Sequence, residues 1–136
     1  MIIFDSTFLI DLMISQNNPK CKNCISLLGR IVNGDEAYGT TFANVFELYK
    51  GAYKSDNIEK SKAKINDILS NIPVLDFSTV FYDSYGELST ELEKKGTPIG
   101  KFDELIAAIA LYHNAKIVTN NTRDFSKVSG IEIINH

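Results

Sequence analysis

Four carboxylates stand where a side chain can do chemistry: Asp5, Glu47, Asp103 and Asp124. Asp5 ends the apolar run Ile2-Ile3-Phe4 abruptly, while Glu47 and Asp103 interrupt helical faces that are otherwise apolar. Carboxylates held within a few ångströms repel by an amount that water only partly screens, so such a group calls for protons or a cation. Hard oxygen ligands with no His or Cys near them in sequence favour Mg²⁺ or Mn²⁺ over zinc or copper. An ion of that kind suits phosphate esters, because it activates a water and neutralises the charge that develops on phosphorus. Taken singly, each acid reads equally as a helix cap or a solvated surface group, and Asp5 directly precedes a helix. Everything turns on whether the elements bring the four together.

Ile2-Ile3-Phe4 has the length and residue types of a strand, and with no charge before Asp5 it reads as covered on both faces, a central strand of a parallel sheet. In such sheets the functional crevice lies beyond the carboxyl ends of the strands. Asp5-Ser6-Thr7 opens a helix carrying Phe8, Leu9, Leu12 and Met13, and Asn18-Pro19 opens a second, which Gly34 closes. Residues 36–40 read as strand two. Thr41 then caps a helix over Phe42 to Lys54, with Val45, Phe46, Tyr49 and Ala52 or Tyr53 inward and Glu47 in its second turn. Asp56 or Asn57 caps a helix with Ile58, Ile65, Ile68, Leu69 and Ile72 on one face and Lys60, Lys62 and Lys64 on a solvated one. After Pro73, residues 74–77 read as strand three, and Ser78 opens a helix that Lys94-Lys95-Gly96 stops. Thr97 to Gly100 is a turn. Lys101 to Asn114 is a helix apolar nearly all round, hence deeply buried. Residues 116–119 make strand four, residues 120–124 a polar loop, and residues 131–134 an edge strand. Strands separated by helices define an α/β layered domain on a parallel sheet, and nothing divides residues 1–136 into more than one domain.

This order converges the acids. The helix of Asp103 runs almost directly into strand four, so its last turn sits at the amino edge of the sheet. About twelve residues at roughly 1.5 Å each return its first turn some 18 Å to the carboxyl edge, where Asp5 lies. Asp124 follows strand four, and Glu47 lies about one turn into the helix after strand two, so both belong to the same edge.

With 136 residues, 44% hydrophobic and 23% charged, the chain is globular and long enough to bury a core without staples. No apolar run approaches the roughly 20 residues that span a bilayer, and the N-terminus lacks the basic flank of a signal peptide, so no membrane partner and a cytoplasmic location are expected. Cys21 and Cys24 form a lone CxxC on the stripe Cys21, Cys24, Ile25, Leu28, Ile31, Val32. No second Cys or His pair completes a zinc site, and His113 and His136 stand far apart in sequence, so buried structural thiols are preferred over redox or zinc chemistry. A net charge of −3 would disfavour nucleic acid if spread evenly, but setting the four acids aside leaves 14 basic against 13 acidic residues.

Several segments carry a resemblance: Ile3-Phe4-Asp5-Ser6-Thr7, then Glu47, then Ile99 to Ala108 with its D-x-x-I-A-A core, then Val118 to Phe125 with its T-x-N-x-x-D-F pattern. In this order they resemble the PIN-domain family, and within it the VapC-type toxin ribonucleases of toxin–antitoxin pairs. The resemblance implies a PIN-like three-layer α/β/α domain with a central, mostly parallel sheet of about five strands. It also implies a Mg²⁺- or Mn²⁺-dependent endoribonuclease using one or two ions, a homodimer, and a cognate antitoxin that blocks the active site. By matching position Asp5 and Asp103 would be the principal metal ligands, with Glu47 and Asp124 completing the quartet. Ser6, Thr119 and Asn121 would orient ligands or waters. Lys101 and Arg123 would hold the RNA backbone, or simply confer solubility. One departure is Thr7, where many members carry Asn; it bears on the hydrogen bonding around Asp5. Two other readings stay open: a catalytically silent PIN-like binding module acting through a protein partner, and an aspartyl-phosphate protein using Asp76.

Overall fold

In the computed structural model, which describes residues 1–136, the β-branched and aromatic run Ile2–Phe4 forms β1. In chain order there follow α1 (Ser6–Met13), α2 (Pro19–Val32), β2 (Tyr38–Thr41), α3 (Phe42–Lys54), α4 (Ile58–Leu69), β3 (Val74–Leu75), α5 (Phe81–Lys94), α6 (Lys101–Tyr112), β4 (Lys116–Val118), α7 (Thr122–Phe125) and β5 (Ile133–Ile134). The strands make one five-stranded sheet in the order β3-β2-β1-β4-β5, every neighbouring pair parallel. β1 is therefore central, as its uninterrupted apolar sequence requires, and β5 is an edge strand.

Alternation along the strands divides the core between two layers of helix. Ile3 and Ile117 point into a cluster with Phe81, Leu88, Leu92, Ile106 and Ile109 of α5 and α6. Ile2, Phe4 and Val118 point the other way, against Phe8, Leu9, Ile31, Leu48 and Ile65 of the first four helices. Burying apolar surface on both faces of the sheet drives this three-layer α/β/α arrangement. Helix α6 is as deeply placed as its composition requires, with Ile106 to Ala110 inaccessible to solvent. It ends where Asn114 takes a left-handed φ of 52°, and Ala115 alone separates that turn from β4.

The expected caps are present at Asn18, Thr41 and Asn57. Five local readings need correction. The buried face of α3 is Ala43, Asn44, Leu48 and Ala52; Val45 and Tyr49 are only partly covered, while Phe46 and Tyr53 are about 60% exposed. β3 stops at Leu75, leaving Phe77 outside the sheet against Phe42 and Tyr82, and α5 begins at Phe81 rather than at Ser78. The polar stretch after β4 contains the short helix α7. On α2, Cys21 and Cys24 are buried but Ile25 and Val32 lie nearly half exposed, so the covered stripe is narrower than the apolar one. No helix is long and apolar enough to cross a membrane.

Candidate active site

Asp5 precedes α1 in the N-cap position, yet its side chain makes no capping bond. Its backbone carbonyl accepts from Phe8 and Leu9, which leaves the carboxylate free for other work. The carboxylate is 3% exposed and takes three side-chain donors: Thr119 Oγ1 at 2.7 Å, Asn44 Nδ2 at 3.0 Å and Thr7 Oγ1 at 3.3 Å. A buried carboxylate needs such donors to remain charged. Thr7, the position where the family pattern varies, still serves the first acid, and its hydroxyl also accepts from the Asn120 amide at 3.0 Å.

One polar network links all four acids. Asn44 closes a capping box with Thr41, its carbonyl oxygen accepting from the Thr41 hydroxyl and amide, and spends its Nδ2 on Asp5 and on Ser6 Oγ at 3.0 Å. Ser6 in turn donates to Glu47 Oε1 at 2.7 Å. On the other side, Thr119 donates to Asp5 and accepts from the Asn121 amide. The Nδ2 of Asn121 then bridges Asp103 at 3.1 Å and Asp124 at 3.2 Å. Segments after β1, β2 and β4 and the first turn of α6 thus meet at the carboxyl edge of the sheet.

The charges feel one another. Burial pushes the Asp103 carboxyl up to about 6, helped by the negative charges of Asp5, Glu47 and Asp124 and opposed by the Asn121 hydrogen bond. Glu47 is also raised, by burial first and by Asp5 in addition, against the bond from Ser6. No three of the four bring carboxylate oxygens within 4.8 Å of one another. That spacing suits a hard divalent ion that keeps part of its water shell and takes only one or two carboxylates directly.

Of the remaining expected residues, Ser6, Thr119 and Asn121 sit inside the network as hydrogen-bond partners. The two cations do not join it. Lys101 is 81% exposed and lies 3.7 Å from buried Glu104, and exposed Arg123 makes no ion pair. Lys127 forms an ion pair with one acid of the group, 3.7 Å from Asp124 and three residues after it, and Lys50 acts on Glu47 through its charge. Asn44 is the other contributor that sequence reasoning missed; its one sequence signal is the position three residues after the capping threonine. Glu104, beside Asp103, points away to Tyr85 and Ser89 of α5. Asp76 is exposed just past the edge strand β3, not beyond a central strand as phosphoacceptor chemistry expects.

The model of the PIN domain matches residues 2–131. The chain belongs to the PIN-domain family. Ribonuclease VapC2 of Rickettsia felis is 42% identical over 89 residues, 65% of this chain and 66% of that protein. The tRNA(fMet)-specific endonuclease VapC of Shigella flexneri is 40% identical over 87 residues, 64% of this chain and 66% of its own length. The matched stretch therefore covers just under two thirds of either PIN relative. The solved structure of VapBC2 from Rickettsia felis bound to a promoter DNA fragment superposes with a TM-score of 0.85 at 31% identity, covering 100% of this chain and 99% of that one. The D-x-x-I-A-A helix and the T-x-N-x-x-D-F segment of this PIN domain are the parts that deliver Asp103, Thr119, Asn121 and Asp124 to the network.

Proposed function

We propose that the chain is a metal-dependent endoribonuclease, the toxin of a type II toxin–antitoxin pair, that hydrolyses RNA phosphodiester bonds at the acid edge. The observation that carries this reading is the single network joining Asp5, Glu47, Asp103 and Asp124 through Ser6, Asn44, Thr119 and Asn121. The all-oxygen donor set fits Mg²⁺ or Mn²⁺, with Asp5 and Asp103 as principal ligands and Glu47 and Asp124 completing the set. When bound, the ion supplies Lewis acidity toward water and the phosphate oxygens. Asp103 must be ionised to hold such an ion, so the proton it keeps below about pH 6 would compete with the metal. Asn121 and Thr119 hold Asp103, Asp124 and Asp5 in fixed orientations, so little reorganisation is required when the phosphate arrives. Lys127 offers a positive charge at the rim for the RNA backbone.

Two protein partners follow from the same reading: a cognate antitoxin and a second copy of this chain. The first is supported by the similar structures being VapBC complexes. An apolar groove of about 470 Å³ between Phe42, Phe77, Tyr82 and Phe102 opens next to Lys101 and offers a protein contact that includes Phe102, the residue before Asp103.

The test is cleavage of a mixed RNA substrate by the purified chain with Mg²⁺ or Mn²⁺, against EDTA. Asp5→Asn and Asp103→Asn should each lower the rate by at least about 10²-fold with circular dichroism unchanged, because each removes a negative charge that would hold the cation while keeping a side chain of nearly the same size. Wild-type rates in either variant with the ion saturating would remove these residues from the mechanism.

A further inference from the structure

Away from the quartet, three residues distant in sequence come together. Asp11 of α1, Cys24 of α2 and His136 beyond β5 bring a carboxylate oxygen, a sulfur and an imidazole nitrogen within 4.8 Å of one another. No other group of His, Cys, Asp or Glu does so. The His136 side chain is 2% exposed, with Nε2 3.1 Å from Asp11 Oδ2 and the ring set edge-on to Phe8. Its Nδ1 is buried with no hydrogen-bond partner. Asp11 Oδ2 also accepts from Asn120 Nδ2 at 3.0 Å, the kind of outer support that orients a ligating carboxylate. Cys24 is 1% exposed, whereas Cys21 gives its Sγ to the Leu12 carbonyl at 3.6 Å and stands outside the trio.

A His–Asp pair alone would account for two of these side chains. It leaves the imidazole's second nitrogen orphaned and the thiol unused, and a buried polar atom without a partner is costly. A thiolate, an imidazole and a carboxylate are together the donor set of borderline-soft ions, unlike the all-oxygen quartet. Zinc bonds of about 2.0 to 2.3 Å place tetrahedral ligand atoms roughly 3.3 to 3.8 Å apart; Asp11 and His136, 3.1 Å apart, already stand at about that spacing, and the Cys24 sulfur lies within 4.8 Å of both.

The geometry points to a second cation site, for a thiophilic divalent ion of the Zn²⁺ class, held by Asp11, Cys24 and His136 with one position left to water. Binding exchanges the Cys24 S–H bond for an S–metal bond and releases that proton to solvent. In the metal-free protein the thiol keeps its proton, since burial first, and then Asp11 and Cys21, push it up to about 11. The ion would clamp α1, α2 and the segment after β5, and through Asn120 it would brace the loop that presents Thr119 and Asn121 to the acids. This inference does not depend on nuclease activity.

The test is titration of the metal-free full chain with Co²⁺ under excess Mg²⁺, which occupies hard oxygen sites. Roughly one equivalent should produce a thiolate-to-cobalt charge-transfer band with tetrahedral ligand-field absorption, both erased by Zn²⁺. Cys24→Ser and His136→Gln should abolish the band, while Cys21→Ser and Asp103→Asn should keep it. Asp11→Asn, at a partly exposed position, should weaken Co²⁺ binding by at least about 10-fold and serves if the buried variants fail to fold. No charge-transfer band in wild type, or one that survives Cys24→Ser or disappears in Cys21→Ser, or unchanged affinity in Asp11→Asn, overturns the assignment.

Discussion

Asp103 carries its proton into a range where ordinary carboxyls have lost theirs. Its ordinary value is 3.8, and burial with three neighbouring acids lifts it to about 6. Between these values the folded protein binds more protons than the unfolded chain, so in EDTA this group's contribution to stability is full below about pH 4 and is lost as pH rises through 6. A shift of this size amounts to about 3 kcal/mol at full weight, and to about 1 to 2 kcal/mol once partial solvent exposure is allowed for. Asp103→Asn should therefore melt a few degrees above wild type in EDTA at pH 8, the advantage shrinking as pH falls toward 4, with cleavage destroyed at every pH. A variant that melts below wild type at pH 8 would mean that the four acids do not share a field. Asn44 behaves oppositely. Both ends of its amide are engaged, so Asn44→Ala deprives Asp5 and Ser6 of a buried donor and opens the α3 capping box. We expect a loss of about 2 to 3 kcal/mol in urea unfolding and lower cleavage even with saturating metal.

At the level of elements, β2 sits between β1 and the two-residue strand β3, and the contact with β3 is close. A Cβ on Gly39 would lie 2.8 Å from the Pro73 carbonyl oxygen, the atom that accepts from the Thr40 amide at 2.9 Å. Backbone cannot swing aside as a side chain can. Gly39→Ala should cost about 1 to 3 kcal/mol, measured by denaturant unfolding, and should raise amide exchange at Thr40 and Thr41 before it affects β4. Much of this layout was legible in residue order: the unbroken Ile2-Ile3-Phe4 put β1 at the centre, and the short turn from α6 into β4 placed Asp103 on the edge of Asp5. The α3 face was not legible, for a physical reason. Its buried row is Asn44, Leu48 and Ala52, and the first of these is polar because the site needs an amide there. Apolar spacing therefore pointed to Phe46 and Tyr53, large residues that the fold leaves in solvent. Phe77 misled in the same way, its aromatic character serving a surface cluster with Phe42 and Tyr82 rather than a longer strand.

For the whole molecule, a strictly parallel sheet means that every connection crosses from one edge back to the other, so side chains distant in sequence collect wherever strands finish. That rule, with the length of the helix that carries Asp103, made the quartet foreseeable from the order of elements along the chain. It could not reveal the Asp11, Cys24 and His136 trio, because those positions follow no shared pattern in the chain and meet only once α1, α2 and the last strand have packed. Nor could it say which cation reaches the acids, since Lys127 owes its place to α7, a single turn that polar composition disguised as a loop. The order 3-2-1-4-5 also has a bearing on synthesis. β1 is made well before β4, which borders it, and Thr119, just past β4, supplies the hydroxyl donor to Asp5 from 114 positions downstream. At translation speeds of about 5 to 20 residues per second, Asp5 waits on the order of 6 to 23 seconds for that partner. On the proposed function, a chain assembled in this sequence has no complete acid site with which to cut the message being read throughout that interval.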